Sequence, residues 1–99
     1  MTSDAHDAPL PRRTDRVALF AEVGVRRSGL NAFRVRIFDA SPEGCKIEFI
    51  ERPSVGERVW IKFDGLEGIE ATVRWVDGHT GGVQFARPLY EAVFRRIVG

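Results

Sequence analysis

The sequence has little of what marks secreted, membrane-spanning or nucleic-acid-coating proteins. It contains one cysteine, Cys45, so an internal disulfide cannot form and a cross-linked secreted scaffold is not indicated. No apolar run approaches the ~20 residues that a helix needs to span a bilayer. The segment 1–7 is acidic and polar and lacks the apolar stretch of a secretory signal peptide. We therefore expect a soluble, cytoplasmic protein without a membrane partner.

An excess of positive charge is also missing. The 15 lysines and arginines nearly balance the 14 aspartates and glutamates, which leaves a net charge of +1. A domain that binds DNA or RNA along the phosphates usually has a clear basic excess, so we expect no nucleic-acid partner. An anionic ligand would have to meet a local cluster of arginines, and the chain has one in Arg12, Arg13 and Arg16.

The residue combinations that catalysis and metal binding need are absent from the sequence as well. It has no nucleophile and base with a recognisable signature, no glycine loop placed to cradle a phosphate before a helix, and no constellation of carboxylates. His6 and His79 have no partners at metal-ligating spacing. We predict a binding protein rather than an enzyme, with no cofactor and no metal.

Short runs in which apolar and polar residues alternate do recur along the chain from Val17 onwards. The 99 residues suffice for one domain with a single modest core. Six such runs, separated by turn residues, predict an all-β fold, a small six-stranded antiparallel β-barrel, since an open sheet this small would expose two edges. The residues expected on the inward face are Val17, Leu19, Ala21, Val23, Val25, Phe33, Val35, Ile37, Cys45, Ile47, Phe49, Val59, Ile61, Phe63, Ile69, Ala71, Val73, Trp75, Val83 and Phe85.

Two of the breaks between runs bear on function. Residues 26–31 are predicted to form a turn after the first strand. Residues 39–44 are predicted to form a tight polar turn, in which Asp39 and Ser41 bond their own backbone, Pro42 fixes φ, and Gly44 adopts a conformation closed to other residues.

The ends of the chain differ from the barrel pattern. Residues 1–11 are small, polar and proline-containing and are predicted to be a flexible segment before a single domain at 12–99. Apolar residues recur at helical spacing near the end, which predicts an amphipathic helix over about 88–98, with Pro88 in its first turn, packed on the barrel. Trp60 lies on the polar face of its run, where it is either covered by this helix or part of an exposed contact surface.

Two short motifs resemble the two-part signature of the PilZ family. The first is a pair of arginines four positions apart, Arg12 and Arg16. The second is Asp39-Xaa-Ser41-Xaa-Xaa-Gly44, and the stretch between the two motifs suits one hairpin. Both halves in this order, on an all-β pattern with a terminal helix, are much more specific than either half alone.

Two strand endings, Val-Arg-Trp at 73–75 and Gly-Val-Gln-Phe at 82–85, are also similar to that family. The resemblance implies a six-stranded barrel that binds the bacterial second messenger cyclic di-GMP and does no chemistry on it. Ligand binding would reorganise the arginine-bearing segment and change its contacts with an unidentified protein partner. The residues that the resemblance assigns to the ligand are Arg12, Arg13, Arg16, Asp39, Ser41 and Gly44.

These residue types suit a guanine nucleotide. An arginine fork can donate two parallel hydrogen bonds to guanine O6 and N7, stack on a purine face and reach a phosphate. A carboxylate such as Asp39 can accept from the N1–H and amine of guanine, and Ser41 can bond a phosphate or the base. Arg13 could contact a phosphate or point to water.

Other interpretations stay open at this point. The barrel could have lost nucleotide binding and serve as a protein-interaction adaptor, although the intact signature argues against that. An RNA-binding barrel would want exposed aromatic residues among basic ones, which Arg34, Arg36 and Phe38 offer only faintly. The sequence is compatible with a monomer or a homodimer, and with one bound ligand or two.

Overall fold

A computed structural model describes residues 16–29 and 31–99 of the chain. Within them six antiparallel strands close into a barrel in the order β1-β2-β3-β6-β5-β4, as predicted. The strands are Val17–Arg27 (β1), Phe33–Ser41 (β2), Gly44–Glu48 (β3), Arg58–Lys62 (β4), Ile69–Asp77 (β5) and Thr80–Phe85 (β6), and the helix is Glu91–Val98 (α1). The predicted flexible segment 1–11 and the residues Arg12 and Arg13 lie outside the described residues.

The barrel interior is filled by the side chains that alternate inward along the strands. Ile37, Ile47 and Ile61 have no exposed surface, and buried valines and phenylalanines surround them. Burying one such side chain contributes about 1.5–3 kcal/mol, so the alternation itself is what specifies the fold. Ala21 and Phe33 are exceptions to the prediction, because both are exposed, and Phe33 at the mouth of the barrel is 52% exposed.

One end of the barrel is covered by α1. Phe94 is the buried residue of the helix, and Ile97 is half-buried against the core. The helix begins at Glu91 and not at Pro88 as predicted. The preceding backbone is held extended, because the Leu89 amide donates to the Pro42 carbonyl and Tyr90 has φ −63° and ψ 149°.

The predicted six-residue turn at 39–44 is much shorter in the structure. Asp39 and Ser41 belong to β2 and Gly44 begins β3, which leaves Pro42 and Glu43 as the only turn residues. The Ser41 hydroxyl accepts a hydrogen bond from the Glu43 amide at 3.2 Å, so the predicted local bond is present at this position.

Two roles were possible for Gly44, a backbone conformation closed to other residues or a close backbone approach, and the structure has the second. The φ of Gly44 is not positive, so glycine is not required here for a left-handed backbone. A Cβ at this position would instead overlap the Val83 carbonyl oxygen of the neighbouring strand and crowd the Gln84 Cα. Glycine is needed because two backbones approach closely.

The end of β1 also differs from the prediction. Arg26 and Arg27 were placed in a turn, but they are the last two residues of the strand and pair with Trp60 and Val59 of β4. The Arg26 guanidinium lies 4.3 Å from the centroid of the Trp60 ring. This cation–π contact covers the half-buried Trp60 on the outer face and extends the strand beyond its apolar pattern.

Arg27 joins the end of β1 to the loop before β4. Its Nε and Nη2 donate to the Glu57 carboxylate at 2.6 and 2.8 Å, and its Nη1 donates to the Glu51 carbonyl at 3.0 Å. The hydrogen bonds from Arg27 hold the pKa of Glu57 below its usual value, with a smaller contribution from the Ser54 amide.

Replacing Gly44 by alanine is expected to lower the free energy of unfolding by at least about 1–3 kcal/mol, the usual cost of forcing an atom into packed structure. Gly68→Ala is the matched control, because a Cβ there meets no atom within 4 Å. It should leave stability unchanged or raise it slightly. Urea unfolding followed by circular dichroism measures both, and equal stabilities would contradict the steric role of Gly44.

The Arg27–Glu57 pair should make stability depend on pH. A carboxylate whose pKa is lowered by folding stabilises the protein above its unfolded pKa of about 4.3, and this contribution is lost as the pH falls through the lower folded value. Glu57→Gln is therefore expected to be less stable at pH 7 and to lose less stability on acidification. Urea unfolding at pH 7, 5 and 3 measures this. Glu91→Gln, which breaks the mostly exposed pair with Arg95, should keep the wild-type pH dependence.

Candidate functional site

The candidate site is organised by a bulge in β2. Ile37 pairs with Ile47 of β3, and Asp39 pairs with Lys46. Two steps along β2 therefore correspond to one step along β3, so β2 has one extra residue between the two pairs. Ile37 and Ala40 both lie inside the barrel, at 0% and 1% exposure. Phe38 and Asp39 between them therefore both face outward. Regular alternation would have turned one of these two side chains into the core.

Arg16 and Asp39 meet on this outer face. Arg16 immediately precedes β1, and its Nη1 lies 2.8 Å from Asp39 Oδ1. The two side chains are 38% and 21% exposed, so water screens the pair and its contribution to stability is small, about 0–1 kcal/mol. The two halves of the predicted motif are thus in contact through these residues, by an interaction that can be exchanged at little cost.

Ser41 and Gly44 lie beside this pair at the end of the hairpin, where they are register partners. Ser41 is only 2% exposed, and its hydroxyl accepts the hydrogen bond from the Glu43 amide. Gly44 keeps the β3 and β6 backbones close together, as described above. One carboxylate oxygen of Glu43 in the turn between them is buried without a hydrogen-bond partner among the described residues.

A row of register partners runs around the barrel from Asp39 through Lys46 and Gly82 to Trp75. Trp75 was expected to pack inside the barrel, but a second bulge, between Val73 and Trp75, turns it outward. Its indole lies against Gly82, where a Cβ would overlap the ring. The adjacent glycines at 81–82 were the only sequence signal that a large side chain covers β6 from outside.

Phe38 lies among positive charges on the same face. The Arg36 guanidinium is 5.7 Å and the Lys46 ammonium 5.8 Å from the centroid of its ring. The alternation of β2 already placed Phe38 outward with Arg34 and Arg36, but sequence reasoning gave this ring almost no weight. The face around Asp39 thus combines cations with an aromatic ring, which are groups that bind phosphates and bases.

Cys45 lies in the core behind this face, as predicted, and is 1% exposed. Burial raises the pKa of its thiol, and the nearby Asp39 charge raises it further, while Arg16 acts in the opposite direction. A thiol that stays protonated is a poor nucleophile and metal ligand. Cys45 is therefore a packing residue.

The described part of the chain shows no group of three or more histidine, cysteine, aspartate or glutamate side chains placed to hold a metal ion. Over residues 16–29 and 31–99, no helix has the length and apolar character that crossing a bilayer requires.

Comparison with known proteins agrees with the fold and with the motif. The family described as PilZ domain matches residues 11–98. No curated protein gives a significant match to the chain. The PilZ domains are a family of modules that bind cyclic di-GMP and are not enzymes. Because the match covers nearly the whole sequence and the chain folds as a closed six-stranded barrel with a C-terminal helix, the protein belongs to the PilZ domain family.

Proposed function

We propose that this protein is a cyclic di-GMP receptor whose ligand binds on the outer face of the barrel around Asp39. The observation that carries the proposal is the contact between Arg16 and Asp39, which brings the two motif halves together at one place. Arg12 and Arg13 precede Arg16 in the sequence and are proposed to complete the same site. Ser41 and Gly44 form its floor at the end of the hairpin.

The chemistry follows from what each side chain can donate or accept. Guanine presents O6 and N7 as adjacent acceptors, which match the two donors of an arginine fork, and its N1–H and amine are donors that match a carboxylate. In the structure Arg16 Nη1 donates a hydrogen bond to Asp39 Oδ1. A guanine can replace that single bond with several, because it offers acceptors to Arg16 and donors to Asp39 simultaneously.

The same exchange provides a signal. When Arg16 turns from Asp39 to the ligand, the segment that carries Arg12 and Arg13 is held over the barrel in a new position. Ordering that segment costs conformational entropy. The free energy of ligand binding therefore determines which of two arrangements of the segment is populated. We propose that an unidentified protein partner recognises one of these arrangements. We also propose that the protein works in the cytoplasm, as a monomer or a homodimer.

The second candidate function is an adaptor that binds protein without nucleotide. A groove of about 240 Å³ at the barrel end opposite α1 favours it, since apolar side chains that include Phe33 and Ile50 line the groove. These two residues are 52% and 59% exposed, so most of their apolar surface is available to a partner and does not stabilise the fold. The adaptor function requires no cyclic di-GMP binding, so one titration separates the two candidates.

Isothermal titration of the wild-type protein with cyclic di-GMP is expected to give saturable binding, and GTP at the same concentrations to give none. Arg16→Ala should weaken binding by about 1–3 kcal/mol, or about 5- to 150-fold, the scale of one bidentate guanine contact. Asp39→Ala should weaken it at least as much, because the base donors lose their acceptor.

Arg58→Ala is the matched control for Arg16→Ala. It removes the same charge from the outer face of β4, where Arg58 pairs with Glu70 instead of Asp39. Its affinity should stay within about twofold of wild type. Folded wild-type protein that gives no saturable heat would refute the receptor function and favour the adaptor. Binding that survives both Arg16→Ala and Asp39→Ala would place the ligand elsewhere on the barrel.

A further inference from the structure

A groove of about 420 Å³ runs along the outer face of β1 and β2, beside the Arg16–Asp39 pair. Residues 18–22 of β1 form one side of the groove, and Arg36 and Phe38 of β2 form the other. Its volume falls within the ~300–1,000 Å³ typical of small-molecule sites. None of its side chains was assigned to the ligand from the sequence.

The groove has an aromatic residue on each strand. Phe20 of β1 is fully exposed, so it contributes nothing to the barrel core. Phe38 of β2 is half-buried and faces outward, on the same side of the strand as Arg36. A fully exposed phenylalanine leaves its entire apolar surface in water, and a planar ligand that covered it would recover that hydrophobic free energy.

The charges at the groove match an anionic purine nucleotide. Arg36 and Lys46 approach the Phe38 ring on its outer side. The one acidic residue that lines the groove, Glu22, is paired in register with Arg36 and lies 3.7 Å from Arg34. Phosphates can therefore meet cations at this rim, while the fully exposed ring of Phe20 offers its surface to a base.

The groove is also adjacent to the first guanine subsite. Ala18, which lines the groove, is the register partner of Asp39, and Phe38 directly precedes Asp39 on the same outer side. Neighbouring strands are about 4.8 Å apart, so the two subsites lie within the span of one compact dinucleotide.

We infer that this groove binds the second guanine of cyclic di-GMP, which stacks on Phe38 and Phe20 while Arg36 contacts the adjoining phosphate. The inference rests on the proposed function and extends it, because Arg16 and Asp39 would bind the first guanine by its edges. Stacking recognises the face of a base and not its hydrogen-bonding edge. The second position should therefore accept adenine, whereas the first should not.

The test is a calorimetric titration of wild type, Phe38→Leu, Phe38→Tyr and Phe20→Ala with three probes. The probes are cyclic di-GMP, the mixed 3′,3′-cyclic GMP-AMP and cyclic di-AMP. Phe38→Leu keeps an apolar side chain but removes the ring, and it should weaken cyclic di-GMP binding about 5- to 150-fold, the range for loss of one stacked base. Phe38→Tyr should bind like wild type, and Phe20→Ala should lie between them. Phe33→Ala, an exposed phenylalanine of the same strand outside this groove, is the matched control and should not change affinity.

The ligands provide an independent readout that does not depend on a variant. Wild type should bind the mixed dinucleotide within about tenfold of cyclic di-GMP, and bind cyclic di-AMP far more weakly. Thermal melting of each variant verifies that it is folded.

The possible outcomes distinguish failure of the groove inference from failure of the receptor function. If wild type binds cyclic di-GMP but Phe38→Leu and Phe20→Ala bind equally well, the groove inference is overturned and the receptor function stands. Rejection of the mixed dinucleotide as strongly as cyclic di-AMP would also overturn it, since both bases would then be read by their edges. If wild type binds no cyclic di-GMP, the receptor function fails, and the groove assignment fails with it.

Discussion

One extra residue in β2 is the constraint on which the outer face depends. Without the bulge after Ile37, either Asp39 would point into an apolar interior or Ala40 would leave it. A buried, unpaired carboxylate is far too costly for a domain of this size, so the register of the core and the exposure of Asp39 are fixed together. Phe38 faces outward by ordinary alternation from Ile37, so the bulge is what places the acid beside the aromatic ring on the same face.

The structure combines a rigid barrel with a salt bridge that a ligand can replace. The barrel is closed by strand pairing on every side, and Arg27 and Glu57 secure the loop that leads into β4. The Arg16–Asp39 pair is weak by comparison, because it is a single bond between partly exposed side chains. A receptor needs both properties, a preformed surface for affinity and a contact that a ligand can break for response.

The fold could be predicted from the sequence because its signal is strong and local. Alternation of valine, isoleucine and phenylalanine identified all six strands, and nearly all of the side chains expected to face inward do so. Only the resemblance to a family assigned Arg16 and Asp39 to one ligand site, and the structure places these two side chains in contact. What could not be predicted are features set by neighbouring strands, which a single chain pattern does not contain.

Particular positions show this. The bulges that turn Asp39 and Trp75 outward are defined by register against β3 and β6, and not by the residues themselves. Gly44 was correctly selected, but it does not have the special φ. Glycine is needed there because β6 approaches closely, which depends on the tertiary structure. The helix starts late because a hydrogen bond from Leu89 to Pro42 holds the preceding segment extended.

Closure of the barrel has a consequence for how the protein meets other macromolecules. Each of the six described strands has a hydrogen-bonded neighbour on both sides, but β1 pairs with β4 only over its last four residues. The β1 backbone at 17–23 therefore has no described strand partner on that side, and recognition by β-augmentation, a common way for small β domains to capture partners, is confined to this stretch. Elsewhere on the barrel, specificity depends on the side chains that project outward.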